Sequence, residues 1–158
     1  MNRYAGSVVI AILLTGTAAS VAHAQAAAPA VDAMSMVAAN SITWVDANIP
    51  GFAPGMKMAV VHGNPDASEP YTLRLSFPDG YRFPSHWHPQ AENLTVLSGT
   101  VLLAMGERAD DAQLKAYGAG DYLYIPGTKP HFGGAKGSTV IQLHGQGPFA
   151  INLAAARP

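Results

Sequence analysis

The chain has 158 residues, with 9 basic and 10 acidic side chains, 49% hydrophobic residues and no cysteine. This length fits one domain that buries a sizeable core. The net charge of −1 excludes a strong electrostatic attraction to nucleic acid. The lack of cysteine excludes disulfides, thiolate catalysis and cysteine-ligated metal sites. Few charges and many apolar residues are also typical of membrane proteins, so the position of the apolar residues decides the class.

The first 24 residues have the pattern of a secretory signal peptide. Arg3 precedes an apolar run at residues 8–14, and Ala22 and Ala24 form a small-residue cleavage pattern. A membrane anchor needs about 20 mainly apolar residues, and Thr15 interrupts this run early. We therefore expect cleavage after Ala24, a periplasmic or secreted protein, and no membrane association after cleavage.

The remaining chain predicts a short leader followed by a single all-β domain. Residues 25–41 are rich in alanine and weakly patterned, which indicates a flexible leader or a short helix. Residues 42–158 break into short apolar runs separated by turn residues, as expected for a β-sandwich or barrel. The clearest strand is 71–77, where apolar and polar residues alternate strictly. The other predicted strands are 56–62, 82–88, 93–97, 100–105, 121–125, 131–133, 139–144 and 149–153.

Two connections in this domain have distinct patterns. Ser98 and Gly99 separate two predicted strands, and this pair is expected to form a tight hairpin turn. Residues 107–117 are polar and carry several charges, which predicts an excursion loop with a helical turn at most.

Histidines and a glutamate are concentrated near the middle of the chain. His86 and His88 are two residues apart, so on a strand both imidazoles project from the same face. Glu92 follows four residues later, and a kink at Pro89 could bring its carboxylate back to that face. Two imidazoles and one carboxylate suit Fe, Mn, Co, Ni, Cu or Zn. The alternative is a pair of ordinary histidines that happen to alternate.

The spacing around these residues resembles the first motif of the cupin family. Gly80, His86, His88, Glu92 and Gly99 match every fixed position of that motif. Chance would give this pattern on the order of 10⁻⁵ to 10⁻⁴ times per chain, which makes the match specific.

A second cupin motif follows in the same part of the chain. Gly120, Pro126 and His131 fall at the family spacing. Thr128 stands where the motif usually has glycine, and Ala135 stands where it often has asparagine. Neither of these two positions ligates a metal in the family. The resemblance covers roughly residues 72–153 and implies a single-domain cupin β-barrel with a jelly-roll-like winding.

The resemblance also implies one divalent transition metal ion, either Zn, Fe, Mn, Ni or Cu. Its four protein ligands would be His86, His88, Glu92 and His131. An open coordination position separates a reactive site from a closed structural one. A chain exported before it folds would load its metal outside the cytoplasm, where the Irving–Williams order favours Zn or Cu over Fe(II) or Mn(II).

Three further residues are candidates for contacts with a substrate. Gln142 and His144 alternate on a late strand, and they could line the pocket or support the ligands. The alternative is an ordinary histidine at a sheet edge. Arg74 lies on the polar face of its strand and could bind a substrate carboxylate bidentately, although a surface position fits it as well.

The resemblance implies a metal-dependent enzyme that acts on a small molecule. An oxidoreductase of the dioxygenase type is favoured over an isomerase or a lyase on family frequency alone, since fold and ligands do not choose among them. The alternative is a non-catalytic binding or sensing module in which the ion anchors a ligand or stabilises the barrel. The family also implies a homodimer.

Overall fold

The computed structural model describes residues 34–154. The predicted signal peptide and most of the predicted leader lie outside this range. The described part contains nine strands and two short 3-10 turns, at Ala39–Ser41 and Asp111–Gln113. None of its helical segments is long or apolar enough to cross a membrane. The strands are β1 Val45–Asp46, β2 Lys57–His62, β3 Pro70–Phe77, β4 Arg82–Trp87, β5 Glu92–Met105, β6 Lys115–Gly118, β7 Tyr122–Ile125, β8 His131–Gln146 and β9 Asn152–Leu153.

The nine strands form one curled antiparallel sheet, which confirms the all-β prediction. Its main path runs β1-β2-β3-β8-β4-β9, and β5 pairs with β6, β7 and β8. The two long strands, β5 and β8, pair along most of their length and hold the sheet together. The first half of β8 lies between β4 and β5, and its second half lies between β3 and β5. The curled sheet is consistent with the predicted β-barrel.

The concave face of the sheet forms the hydrophobic core. Strand β3 shows the alternation expected from sequence, with Leu73 and Phe77 at 0% and 2% exposure and polar residues between them. On the neighbouring β8, Ile141 and Leu143 face the same side at 3% and 0% exposure. Burial of each such side chain contributes about 1.5–3 kcal/mol. The apolar face of every central strand therefore points into the curl.

The hairpin predicted at Ser98 and Gly99 is wrong, because β5 continues through both residues. Gly99 has a φ of +75°, and a Cβ atom there would collide with the carbonyl oxygen of Ser138 on β8. The strand register shifts on both sides of Ser98, as in a β-bulge. The hydroxyl of Thr139 fills the gap, donating to the carbonyl oxygen of Thr100 at 3.1 Å. Gly99 thus permits a close approach of two strands and not a chain reversal.

Two other expectations differ in detail. The predicted loop at 107–117 does contain a 3-10 turn, but it continues into β6, which pairs with residues 100–103 of β5. The predicted strands 131–133 and 139–144 are one strand, β8, that runs through the intervening polar and glycine residues. Pairing with neighbours on both sides keeps these stretches extended despite their low intrinsic strand propensity.

Candidate metal centre

The four residues of the predicted metal site lie at the ends of three strands that meet inside the curl. His86 is on β4 and His88 follows its last residue, while Glu92 begins β5 and His131 begins β8. His86 is directly paired with His131 in the sheet. All four side chains are buried, with exposures between 2% and 6%. The expectation that His86 and His88 share a face, and that Glu92 returns to it, agrees with this placement.

The turn after β4 is held against the turn that leads into β8. The backbone N–H of Thr128 donates to the carbonyl oxygen of His88 at 2.7 Å. Gly127 packs so closely that a Cβ atom would lie 2.8 Å from the carbonyl oxygen of Pro89. Thr128 itself has a φ of +62°, a conformation that is costly for a β-branched residue. These contacts bring the two motif segments to one place.

The ligand atoms of the four residues converge. One ring nitrogen from each of His86, His88 and His131 lies within 4.8 Å of the others. The Glu92 Oε2 atom lies 3.6 Å from His88 Nε2 and 3.5 Å from His131 Nε2. Three buried imidazoles at this spacing could hold one metal ion.

Backbone carbonyl groups orient all three imidazole rings. A carbonyl oxygen only accepts, so the ring nitrogen beside it carries the proton and donates. In His86 and His88, which have the shorter contacts, this leaves the lone pair on Nε2, the atom that faces the centre of the cluster. Such outer contacts are typical of metal-binding histidines. The distances from Nδ1 to the carbonyl oxygen are 2.8 Å for His86 and Pro84, 2.8 Å for His88 and Ala150, and 3.2 Å for His131 and Lys129.

The centre of the cluster contains buried polar atoms without a hydrogen-bond partner. His88 Nε2 and Glu92 Oε2 are both buried and unpaired. With its proton on Nδ1, His88 Nε2 presents a lone pair to the Glu92 carboxylate, so acceptor faces acceptor. Unpaired buried polar groups are costly. A cation between these atoms satisfies them all, so the donor set fits a divalent metal ion.

The protonation states favour metal binding at neutral pH. Burial, together with the nearby His131, lowers the pKa of His86 from 6.5 to about 3. Burial also lowers the pKa of His88. Burial alone would raise the pKa of Glu92, but contact with His131 and the other imidazoles holds it below its ordinary value. The neutral imidazoles of His86 and His88 and the ionised carboxylate of Glu92 are the forms that bind a metal.

A narrow cavity of about 30 Å³ reaches the cluster, a space that matches roughly one water molecule. Aromatic rings pack against the imidazoles. Phe52 and Phe83 contact His86 edge-on, with ring centroids 5.1 and 5.6 Å away, and Phe149 stacks on His88 with a centroid distance of 4.8 Å. Apart from the four candidate ligands, the lining side chains are apolar. They are Phe52, Met56, Leu75, Phe77, Phe83, Leu94, Leu103, Ile141, Phe149 and Ile151.

Comparisons with known proteins identify this architecture. Residues 73–144 match a family model described as a cupin domain, Cupin_2. A polyketide cyclase, RemF, from Streptomyces resistomycificus superposes with a TM-score of 0.66 at 16% identity, covering 79% of this chain and 88% of that one. The chain has the cupin fold. The family match and the fold together support the cupin superfamily, as the two sequence motifs predict.

Two further structures show a likeness in fold. A candidate acetylacetone dioxygenase from Methylibium petroleiphilum PM1 gives a TM-score of 0.60 at 16% identity, covering 74% of this chain and 79% of that one. An RmlC-like cupin from Shewanella frigidimarina NCIMB 400 gives 0.54 at 15% identity, covering 78% and 95%. Comparison with curated protein sequences gave no match.

The three predicted substrate contacts lie on the other face of the cupin sheet. Arg74 and Gln142 are opposite each other on β3 and β8, and the Arg74 Nε atom donates to Gln142 Oε1 at 3.0 Å. His144 is exposed on the same outer face. The cavity is lined instead by their apolar neighbours, such as Leu75 and Ile141. None of the three side chains lines the cavity in this structure, and their contact with a substrate stays a prediction.

Sequence reasoning missed the aromatic walls and the segment after β8. That segment supplies both Phe149, which stacks on His88, and the Ala150 carbonyl that orients the same ring. The alternation of Phe149 and Ile151 in the predicted strand 149–153 could have indicated an inward face. Nothing in the pattern around Phe52 pointed to the cavity.

Proposed function

We propose that this chain is an exported, metal-dependent cupin enzyme that acts on a small molecule, with dioxygen as its co-substrate. The ion would be held by His86, His88, Glu92 and His131. The observation that carries the proposal is the buried, unpaired Nε2 and Oε2 atoms of His88 and Glu92 at the end of a partly open cavity. A cation between these atoms would satisfy both of them, and the cavity gives a ligand access to it.

The protein's own residues prepare this site before any substrate arrives. Backbone carbonyls orient the three imidazoles. In His86 and His88 the Nε2 lone pair is directed inward, so neither ring has to lose a proton when a metal binds. The Glu92 carboxylate supplies one negative charge, which leaves a divalent ion with a net positive charge. Phe52 and Phe149 cover the rings and keep bulk water out. A bound ion with a free coordination position would supply Lewis acidity and, for a redox metal, one-electron chemistry.

The walls of the cavity support dioxygen as co-substrate. The space beside the imidazoles is about 30 Å³ and its lining is apolar outside the four candidate ligands. A small apolar gas needs no hydrogen bonds and is compatible with such walls, whereas a polar second substrate would be desolvated without compensation. The cupin neighbours include a candidate acetylacetone dioxygenase and a polyketide cyclase. At 16% identity these likenesses concern the fold, and the reaction has to be tested directly.

The deciding experiment combines metal analysis with oxygen consumption. Protein from its native source is analysed for metals and then tested against a panel of small acids, phenols and diketones. We expect about one transition metal ion per chain and oxygen uptake with some members of the panel. Both should be lost in His86→Ala and kept in His144→Ala, which changes an exposed histidine on the outer face.

Other outcomes of this experiment would contradict the proposal. Tight binding of a small molecule with no turnover would favour the non-catalytic binding or sensing module. A protein without bound metal, and unable to take one up, would remove the basis of the proposal. Export is tested separately by the mass of the mature chain, which should begin at Gln25. If loading occurs outside the cytoplasm, the bound ion should be Zn or Cu, and predominant iron or manganese would refute that loading argument.

A further inference from the structure

The side chains that line the cavity restrict which chemical groups a ligand can carry away from the metal. Among residues 34–154, every polar side chain that lines the cavity is one of the four candidate ligands. The remaining lining residues are aliphatic or aromatic, and several of them, such as Leu103 and Ile141, are less than 6% exposed. Arg74 and Gln142 do not compensate, because they bond to each other on the outer face. A hydroxyl or carboxylate placed away from the ion would therefore find no side-chain partner.

We infer that the site takes a ligand with a single metal-chelating head and an apolar body, such as a β-dicarbonyl, an enol or a phenol with a hydrocarbon substituent. This inference rests on the proposed function, since the head needs the ion. The chelating oxygens bind beside the four candidate ligands, and the body packs against the apolar wall. Each additional hydroxyl on the body loses roughly 5- to 100-fold in affinity because it is desolvated without a partner. Sugars and polycarboxylic acids are therefore excluded.

A body larger than one water molecule has to displace part of the wall, and the contacts indicate which part. Phe149 is held on both sides: its N–H donates to the Pro65 carbonyl oxygen at 2.7 Å, and the next residue, Ala150, accepts from His88. The N–H of Phe52 donates only within its own turn, to the carbonyl oxygen of Ile49 at 3.0 Å. Phe52 and Phe149 are both partly exposed, so the difference between them is the anchoring of their backbone. The ligand body therefore enters past Phe52, while Phe149 stays in place and keeps His88 oriented.

The test uses metal-depleted protein reloaded with Co²⁺ and a series of hydroxamic acids, with the visible Co²⁺ spectrum as the readout. All members share one bidentate head, so differences in affinity report on the body. From acetohydroxamate to hexanohydroxamate we expect binding to tighten by about fourfold for each methylene. Gluconohydroxamate, which has a polyhydroxylated body, should bind at least about fivefold more weakly than acetohydroxamate.

A wall variant tests the entry route. Phe52→Ala, or Phe52→Leu if the first variant does not fold, should tighten benzohydroxamate relative to acetohydroxamate by roughly fivefold or more. Tyr124→Ala removes an aromatic ring that is 59% exposed on the outer face, and it should leave both affinities unchanged within about twofold.

The outcomes separate this inference from the proposed function. If Co²⁺ does not bind, the proposed metal site is wrong and the inference falls with it. If Co²⁺ binds but affinity does not depend on the body, or gluconohydroxamate binds as tightly as hexanohydroxamate, the inference is overturned and the metal site stands. A loaded site whose spectrum responds to no hydroxamate also overturns the inference.

Discussion

Replacement of Glu92 by Gln should change the stability of the protein in opposite directions with and without metal. In the metal-free protein the carboxylate faces His88 Nε2 at 3.6 Å and His131 Nε2 at 3.5 Å, and its Oε2 atom has no hydrogen-bond partner. A glutamine of the same shape places a neutral N–H₂ donor where the carboxylate has only acceptors. The acceptor–acceptor conflict is then replaced by a hydrogen bond.

The magnitudes follow from the burial of the group. Relief of an unsatisfied buried acceptor is worth about 1–3 kcal/mol, so metal-free Glu92→Gln should unfold at a temperature at least about 3 °C higher than the wild type. The amide is a poor ligand for a transition metal and carries no charge. Since changes outside the ligand shell already cost 10- to 100-fold in metal affinity, we expect a loss of about 100-fold or more. That loss reduces the stabilisation by excess metal by about 2.8 kcal/mol.

The assay is thermal unfolding of both proteins with a chelator and with graded concentrations of Zn²⁺, together with calorimetric titration of the metal. Glu69→Gln is the matched control, because Glu69 accepts a hydrogen bond from the Asn64 N–H in a turn and a glutamine oxygen can do the same. An unchanged metal affinity in Glu92→Gln would show that the carboxylate is not a ligand. A metal-free variant less stable than wild type by 1 kcal/mol or more would refute the argument from acceptor conflict.

Three further predictions test the backbone and the imidazoles. Gly99→Ala should lower the free energy of unfolding, measured by urea denaturation, by at least about 2 kcal/mol. The control Gly118→Ala places its methyl group in open space and should change the free energy of unfolding by less than about 0.5 kcal/mol. Thr128→Gly should raise the free energy of unfolding by about 0.5–1 kcal/mol in the same assay, because glycine adopts the φ of +62° without strain. An unchanged free energy of unfolding would show that Thr128 is not strained. Acid should destabilise the metal-free protein. The unfolded chain protonates His86 below pH 6.5 and the folded chain only near pH 3, so about 2 kcal/mol should be lost between pH 7 and pH 5. A flat stability profile over that range would refute this.

The candidate ligands could be predicted from sequence because their spacing reflects local geometry. His86 and His88 share a face because the chain stays extended from β4 into the residue that follows it, and His131 begins the strand that pairs with β4. The all-β fold was likewise readable from short alternating runs, as at 71–77. Both predictions depend on the two-residue period of an extended chain, which the sequence displays directly.

The side chains that line the pocket could not be predicted, because polar residues such as Gln142 are assigned to it from sequence. In this fold the pocket is the interior of the curled sheet, so the side chains of the apolar face line it. Gln142 alternates with Ile141, and only the apolar member points inward. A register irregularity between Phe83 and His86 also changes the parity within β4, and it places an aromatic ring and a ligand on one side. Such irregularities depend on cross-strand pairing, which a single sequence does not display.

Several residues belong both to the hydrophobic core and to the cavity wall, so a mutation that changes ligand specificity there also changes the stability of the protein. Leu75, Phe77, Leu103 and Ile141 belong both to the core cluster and to the cavity wall. Truncation of any of them would cost about 2–5 kcal/mol, a large fraction of the 5–15 kcal/mol that stabilises an ordinary domain. Phe52 is only partly buried and packs at the edge of the core, so its replacement should cost less. A change of ligand preference in this scaffold is therefore expected first at the mouth of the cavity, and only later at its walls.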